Sequence, residues 1–408
     1  MQDYLDALSL REENMFEYFN QLNEDLSHYS SSNDICTPMG CVKEMVDHIP
    51  EEFWHRDGIK ILDPCAGNGN FPAYLETKTH SHNIYANEIS DARLKNLHNY
   101  FGNRINIINQ DFLAMDEENK YDLIIANPPY AQLMEDGGRA AKNHTLSRQF
   151  IMKALRMLEA NGYLVFIVPD NWMSYADNNP LPALLSSLQI VVLNIWEAKK
   201  WFPSVGSSFT YFVIKNVPHN NTPTTIITKD KVEQMVIPAG VPCIPLQYND
   251  TIASIFNKVV FNDLEKYDVL ASSYLHKTTK KQFIIDKQDA EHPYRLIHTP
   301  NQTVWSSIPH KWQDGWKVFL PTTTYYKPFR DCGCGMTQSI AFILCKDEKE
   351  SIKILQELEL PMYKFVIELT RYGNFNNQRV LQHLTKRHLI SLTTEEEQFI
   401  SDFFKKDL

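Results

Sequence analysis

The four residues Asn127-Pro128-Pro129-Tyr130 combine groups that suit one kind of substrate. Two prolines remove two backbone N–H donors and leave their carbonyls as acceptors. The amide oxygen of Asn127, the Pro128 carbonyl and the Tyr130 ring would together receive a planar amino group attached to a flat ring. The tetrapeptide follows the strand-like residues YDLIIA (121–126). We therefore expect it at the carboxyl edge of a sheet, where α/β proteins bind ligands, and a purely structural turn is the alternative interpretation.

A second segment with chemical potential is DPCAGNGNF, residues 63–71, directly after the strand-like IKIL (59–62). Gly67 and Gly69 permit a tight turn and a close approach of the backbone to a ligand, and the next helix presents unpaired N–H groups. The third glycine of the dinucleotide-binding pattern is missing. The segment thus favours a ligand without a pyrophosphate, with a structural turn or a dinucleotide site as alternatives.

Alternating strand and helix patterns position these two segments. The strand-like runs lie at 59–62, 83–86, 105–108, 121–126, 163–168, 190–196 and 209–215, and the helical patterns between them at 90–101, 148–160 and 181–188. Strands that alternate with helices of this length indicate a mostly parallel sheet. The last strand follows its predecessor too closely for a helical crossover, so it is predicted to be antiparallel. The fold class is α/β, a doubly wound, seven-stranded Rossmann-like sheet with a reversed last strand.

The segment NVPHNNTPTTI, residues 216–226, is rich in Asn, Pro and Thr and predicts a boundary. Three parts follow from it. Residues 1–28 are predicted to form a helical N-terminal extension, 29–218 the α/β domain that carries both motifs, and 227–408 a domain of mixed α+β character.

In their order, these segments resemble the S-adenosylmethionine-dependent amino-methyltransferases, and in particular the TaqI-type (gamma group) DNA adenine-N6 methyltransferases. The resemblance covers roughly residues 29–216. The matching parts are Thr37-Pro38, the loop at 63–71, Glu88, Asp111-Phe112, NPPY at 127–130, NGYLVFIVP at 161–169, Phe202-Pro203 and a C-terminal target-recognition domain.

The resemblance implies S-adenosyl-L-methionine as the cofactor. Its methionine end would lie near Thr37 and the 63–69 turn, with its ammonium attracted to Asp63. Glu88 would accept both ribose hydroxyls, and Asp111 would accept from the cofactor's adenine amine, with Phe112 against the ring. The full set of cofactor-binding residues implied is Thr37, Asp63, Cys65, Ala66, Gly67, Gly69, Glu88, Ile89, Asp111, Phe112 and Asn127.

The resemblance also implies that a target adenine is flipped out of duplex DNA, because its amino group cannot be reached inside the stack. Tyr130 would stack on one face of the base. Phe202 is our candidate for the other face, with Phe209 as the competitor. Asn127 and Pro128 would accept hydrogen bonds from the amino group, so the predicted catalytic residues are Asn127, Pro128, Tyr130 and Phe202.

Charge is unevenly distributed along this chain of net charge −10. Residues 1–219 hold 17 Lys and Arg against 28 Asp and Glu, whereas residues 220–408 hold 23 against 22. The basic and amide-rich runs at 277–281, 371–379 and 386–388 suit phosphates and base edges. The expected partners are double-stranded DNA and a separate restriction endonuclease, with an orphan methylase that has no partner nuclease as the alternative, and a monomer is favoured over an obligate oligomer. Residues 132–144 are predicted to form a lid over the site.

Other classes of protein are disfavoured by the sequence. The longest apolar runs fall below the roughly 18 residues of a membrane-spanning helix. Seven scattered cysteines and a start without a leader pattern indicate a reducing compartment, the cytoplasm of a bacterium or of a host cell for a virus-encoded protein. The pair Cys332 and Cys334 has the wrong spacing for zinc, and no metal site is expected. An RNA amino-methyltransferase and a catalytically silent DNA-binding specificity protein are the alternative functions.

Overall fold

The computed structural model describes residues 2–24, 36–130, 145–195, 197–202, 208–228 and 231–405. The chain forms two compact units. The first comprises Met1–Trp172 and Pro180–Val241, and the second comprises Met173–Asn179 and Pro242–Leu408. The division falls at residues 241–242, later in the chain than the predicted boundary at 218–227.

The first unit alternates helices and strands. Its helices are α1 (Gln2–Glu24), α2 (Met39–Asp47), α3 (Glu51–Trp54), α4 (Asn70–Leu75), α5 (Asp91–Phe101), α6 (Thr145–Met157) and α7 (Leu181–Ser186). Its strands are β1 (Ile61–Asp63), β2 (Ile84–Asn87), β3 (Asn106–Ile108), β4 (Tyr121–Ala126), β5 (Leu158–Pro169), β6 (Leu188–Asn194), β7 (Phe209–Pro218), β8 (Thr224–Ile227) and β9 (Val232–Met235).

These strands form one sheet in the order β3-β2-β1-β4-β5-β7-β6-β8-β9. Strand β7 runs antiparallel to both β5 and β6, as the short connection predicts. The predicted number of seven strands is wrong, because β8 pairs with β6 and β9 pairs with β8. Residues 224–227 read TTII, four β-branched residues that favour a strand. The Asn and Pro residues before them had indicated a linker instead.

The order of the strands brings the two motifs to one edge of the sheet. Strand β1 is paired in parallel with β2 on one side and β4 on the other, with Leu62 opposite Ile124 and Asp63 opposite Ala86. The strand order therefore reverses between β1 and β4, and ligands of open α/β sheets bind at the carboxyl ends of the strands at such a point. All residues of β1 are buried, as are five of the six residues of β4.

Helix α1 is an integral part of the first unit rather than a separate extension. The Phe19 side chain is fully buried, and its ring centroid lies 4.8 Å from that of Tyr100 on α5. The Phe16 ring contacts the Tyr74 ring at 6.3 Å. Helix α1 therefore covers apolar surface of α4 and α5.

The second unit combines two four-stranded sheets with helices. Its helices are α8 (Asp250–Val259), α9 (Glu348–Leu358), α10 (Pro361–Glu368), α11 (Gln378–Gln382) and α12 (Thr394–Lys405). Its strands are β10 (Leu270–Ala271), β11 (Ile284–Ile285), β12 (Tyr294–Thr299), β13 (Gln302–Ser306), β14 (Trp316–Pro321), β15 (Phe329–Cys332), β16 (Gly335–Met336) and β17 (Ile340–Cys345). Every helix within the described residues is too short or too polar to span a bilayer.

Candidate active site

Asp63 ends β1 with its side chain completely buried. One carboxylate oxygen, Oδ1, accepts from the Cys65 amide at 3.1 Å, while Oδ2 is buried without a hydrogen-bond partner among the described residues. Burial, helped by the nearby charge of Glu88, raises the pKa of Asp63 well above its usual value. An unpartnered buried carboxylate oxygen is costly. The geometry thus suits a donor or cation supplied by a ligand.

The two glycines of the following turn have different tasks. Gly69 has a φ of +100°, and a Cβ there would lie 2.7 Å from the Phe101 ring and 2.9 Å from Leu97. It therefore allows the turn to pack against α5. Gly67 has a φ of +58°, and its nearest neighbour would be Arg93 at 3.9 Å. The turn is consequently open beside Gly67, where a ligand can approach the backbone.

Glu88, just after β2, accepts three backbone hydrogen bonds, from Gly67, Ile89 and Ser90, each at 2.8 Å. Burial raises the pKa of Glu88, and these N–H groups oppose the shift. A carboxylate has about four lone-pair positions. Two ribose hydroxyls could therefore be bound by Glu88 only if at least one backbone bond were exchanged. Beside it, the apolar side chain of Ile89 is 68% exposed.

The predicted adenine-binding pair after β3 divides into an exposed and a buried residue. Asp111 is exposed, and its Oδ1 accepts from the Leu113 amide at 3.0 Å, which caps a short 3-10 helix. Phe112 is buried, with its ring 5.0 Å from that of Phe150 on α6. The Phe112 ring thus packs in the core, and Ile89 is the apolar side chain left exposed near this edge.

Thr37, just before α2, lies close to the turn through Asn70. The Thr37 carbonyl accepts from Asn70 Nδ2 at 2.7 Å. The other amide atom, Asn70 Oδ1, is buried without a hydrogen-bond partner among the described residues. Within the turn, the Ala66 amide donates to the Asn87 carbonyl at 2.8 Å. These contacts join the Thr-Pro segment, the turn and the end of β2.

The NPPY segment contacts the turn directly. The Cys65 thiol donates to the Asn127 carbonyl at 3.4 Å. The Tyr130 hydroxyl donates to Asn127 Oδ1. Burial raises the pKa of Tyr130, which keeps its hydroxyl protonated as a donor. Of the two prolines between Asn127 and Tyr130, Pro128 is buried and Pro129 is exposed.

Both candidate stacking residues lie in one aromatic cluster with Tyr130. The Phe209 ring is 5.3 Å from the Tyr130 ring and 5.0 Å from the Phe202 ring. Phe209 therefore contacts both Tyr130 and Phe202. Pro203 and the predicted lid at 132–144 lie outside the described residues.

One family model matches the part of the chain that contains these motifs. A family model described as Eco57I restriction-modification methylase matches residues 43–202. This region contains the turn, Glu88, the NPPY segment and Phe202.

Curated relatives are methyltransferases by name. The Type II methyltransferase M.AccI of Acinetobacter calcoaceticus is 24% identical over 72% of this chain and 50% of its own length. M.VspI of a Vibrio species is 28% identical over 38% of this chain and 42% of its own length. A tRNA1(Val) (adenine(37)-N6)-methyltransferase of Aliivibrio fischeri is 30% identical over 27% of this chain and 52% of its own length. The match thus spans half or less of the length of M.AccI and of M.VspI.

Two solved structures share the fold over most of the chain. The Type IIL restriction-modification enzyme MmeI in complex with DNA has a TM-score of 0.53 and 11% identity, over 99% of this chain and 70% of its own. A DrdV–DNA complex has a TM-score of 0.54 and 11% identity, over 90% of this chain and 56% of its own.

The similarity to restriction-modification methylases and to Type II methyltransferases indicates S-adenosyl-L-methionine as the cofactor. The residues fit such a molecule. Asp63 Oδ2 and Asn70 Oδ1 are buried polar atoms without partners in the described part of the chain. An amino-acid ammonium matches the first of these acceptors, and the open side of Gly67 leaves room for a ligand without a pyrophosphate.

Sequence reasoning missed Glu44, which organises the segment before Phe202. Its carboxylate accepts from Tyr211 at 2.7 Å, Asn194 at 3.2 Å and Trp201 at 3.1 Å, and it pairs with Lys200 at 2.9 Å. Burial alone would raise the pKa of Glu44, but the bonds from Lys200, Tyr211 and Trp201 outweigh it and lower the pKa.

One sequence signal for this arrangement is Gly40, which lies about one helical turn before Glu44 in α2. A Cβ on Gly40 would lie 2.4 Å from the Trp201 ring. Residues four apart share one face of a helix. A glycine four residues before an acid in a helix therefore indicates a face that another element approaches closely.

Proposed function

We propose that this protein is a site-specific DNA methyltransferase that transfers a methyl group from S-adenosylmethionine to N6 of an adenine flipped out of double-stranded DNA. The observation that carries the proposal is the contact between the two motifs. The Cys65 thiol donates to the Asn127 carbonyl, so the cofactor turn and the amine-binding segment are direct neighbours. A methyl donor and a planar amine would meet there.

Residues of the turn and of the neighbouring strand ends would hold the cofactor. Asp63 accepts the ammonium, Glu88 and Asp111 accept from the ribose and the adenine amine, and Ile89 covers the adenine ring. When bound, the cofactor supplies an electrophilic methyl group on a sulfonium. Thr37, Cys65, Ala66, Gly67 and Gly69 complete the proposed binding set.

Asn127 and Pro128 would activate the target amine. The lone pair of adenine N6 is delocalised into the purine, which makes it a poor nucleophile. Two acceptors, Asn127 Oδ1 and the Pro128 carbonyl, stabilise the positive charge that develops on nitrogen during transfer. They also orient the lone pair, so positioning supplies much of the rate and no base needs to act first. The proton leaves to water afterwards.

Aromatic residues would hold the extruded base. Flipping costs a few kcal/mol, which stacking in the pocket offsets. Tyr130 supplies one face, and Phe202 remains our candidate for the other. Phe209, whose ring centroid lies 5.3 Å from that of Tyr130, remains the competitor.

DNA is favoured over RNA as the substrate by the extent of the similarities. The match to M.AccI covers 72% of this chain and that to the tRNA enzyme 27%. The DNA-bound MmeI structure aligns with 99% of it. The second unit is therefore proposed to read DNA, and a separate restriction endonuclease and a monomeric state complete the proposal.

Modification-resolving sequencing of DNA from cells that express the protein tests the proposal. We expect N6-methyladenine within one short sequence, and its disappearance with Asn127→Ala as the matched control. Methylation of cytosine, or of RNA but not DNA in the same cells, would overturn the assignment. Binding of DNA without any methylation would favour the silent specificity protein.

A further inference from the structure

Several polar residues of the second unit form hydrogen bonds or ion pairs with other residues of the same unit. In the run 371–379, Asn376 is buried and donates to the carbonyls of Pro321 at 2.7 Å and Thr324 at 2.9 Å. Asn377 caps α11 through the amides of Arg379 and Val380. The Arg379 side chain pairs with Asp177 at 2.9 Å. These residues therefore hold the fold and are poor candidates for reading base edges.

Two large aromatic side chains remain at the surface of the same region. Tyr325 is 74% exposed and Phe375 is 60% exposed. The bond from Asn376 to Thr324 joins the two loops at positions adjacent to these rings. Tyr325 and Phe375 consequently lie on neighbouring loops of the second unit.

Both loops are anchored by a buried tyrosine, which comes one residue after Tyr325 in one loop and three residues before Phe375 in the other. Tyr326 is buried, and its hydroxyl donates to the Leu358 carbonyl at 3.1 Å. Tyr372 is buried, and its hydroxyl donates to the Ile244 carbonyl at 2.6 Å. The exposed rings thus stand on fixed backbone. An anchored backbone lowers the conformational entropy that the two loops lose on binding.

Positive charge accompanies the exposed rings. The Arg371 guanidinium lies 4.3 Å from the centre of the Tyr325 ring, a cation–π distance. Lys327, two residues beyond Tyr325, is exposed. Aromatic faces interleaved with cations match a nucleic acid, which presents flat bases, sugars and phosphates together.

We propose that Tyr325, Phe375 and Arg371 form a stacking surface that binds DNA, with the rings against deoxyribose or a partly unstacked base step and the Arg371 guanidinium toward phosphate. We call these three residues the aromatic surface. The inference rests on the proposed function, since it names how the second unit holds that substrate. It differs from base-edge reading because stacking carries little sequence preference.

Equilibrium binding of a duplex of random sequence, and of a duplex that carries the methylated sequence, tests the inference. The variants are Tyr325→Ala, Phe375→Ala and the double variant, with Tyr325→Phe retaining the ring. Leu344→Ala is the control, because Leu344 is an apolar residue of the same unit that is 43% exposed. We expect the double variant to bind both duplexes about tenfold or more weakly, with Tyr325→Phe and Leu344→Ala unchanged.

Photocrosslinking to duplexes that contain 5-iododeoxyuridine identifies the contact directly. We expect crosslinked peptides that contain Tyr325 or Phe375, and unchanged cofactor affinity and melting temperature in the alanine variants. Unchanged DNA affinity in the double variant would overturn the inference and leave the aromatic surface to a protein partner. A wild-type protein that methylates no DNA would instead overturn the proposed function.

Discussion

The Tyr130 hydroxyl donates a hydrogen bond to Asn127 Oδ1, the oxygen proposed to accept from the target amine. This bond uses one of the two lone pairs of the amide oxygen. A target amine would use the second lone pair, so both hydrogen bonds can be made to the same oxygen.

Two substitutions of Tyr130 distinguish the role of its ring from the role of its hydroxyl. Tyr130→Phe should flip the base about as well as wild type, because the ring remains and Asn127 Oδ1 can still accept from the target amine. Tyr130→Ala should lose about 1–3 kcal/mol of stacking. The fluorescence of 2-aminopurine at the target position measures both. Weaker flipping by Tyr130→Phe than by wild type would show that the hydroxyl itself holds the base.

Asn127→Ala should abolish methyl transfer and leave cofactor affinity nearly unchanged. The lost oxygen acts on the target amine, whereas the carbonyl that accepts from Cys65 belongs to the backbone and remains. Single-turnover methylation and cofactor titration give the two readouts. An active variant would contradict the proposed activation of the amine.

Glu88 binds both the backbone and, as proposed, the cofactor. Glu88→Gln should weaken cofactor binding and lower the melting temperature, because a neutral amide accepts more weakly from Gly67, Ile89 and Ser90. DNA affinity should remain unchanged. An equal loss of cofactor and DNA affinity in parallel titrations would point to a global defect instead.

Asp63 should make the stability of the ligand-free protein depend on pH. Its pKa is raised by burial, so above the ordinary aspartate value of about 4 the native state binds more protons than the unfolded state. Stability should then fall as pH rises through that window up to the raised pKa. Urea unfolding at several pH values should show a flatter dependence in Asp63→Asn.

The cofactor gives an independent check on Asp63. A cationic ligand favours the ionised carboxylate, so its affinity should rise with pH over the same window and its binding should release a proton. Calorimetry in buffers of different ionisation enthalpy detects that proton. A pH-independent affinity would remove Asp63 from the ammonium site.

Glu44→Ala should impair base flipping beyond its cost in stability. Loss of its hydrogen bonds to charged and polar partners should cost about 1.5–3 kcal/mol and release the segment that leads to Phe202. Asp47 is a matched control on α2, since it pairs with Lys78 at 2.7 Å rather than with Lys200. Asp47→Ala should lower the melting temperature but spare the 2-aminopurine signal. Similar flipping in both variants would make Glu44 a stabilising residue only.

The positions of the two motifs were predictable because each directly follows an apolar strand. Strand ends and glycine turns are local features, and parallel pairing then brings them to one edge. The partners of Glu44 were not predictable in this way, since Asn194, Trp201 and Tyr211 are far from it in sequence. The burial of Phe112 depends on Phe150 of α6, a contact that no local pattern encodes.

Local sequence patterns can also place a helix cap one residue away from its position in the structure. The sequence suggests Thr394 and Glu397 as the capping pair of α12, but the Glu396 amide donates to Thr393 Oγ1 at 3.2 Å and the Thr393 amide to Glu396 at 2.7 Å. Adjacent threonines and consecutive glutamates make both registers possible. The Ser254 and Lys258 side chains on α8, which bind Glu396, decide between them.

The two additional strands, β8 and β9, determine which strand forms one edge of the sheet. Without β8 and β9, the outermost strand would be β6, LQIVVLN, in which five of seven residues are buried. An apolar strand with unpaired backbone groups is a template for pairing between molecules. Strand β9 takes this place with four residues, VEQM, of which none is buried and one is a glutamate. A short, charged margin of this kind opposes aggregation of the chain through edge-to-edge pairing.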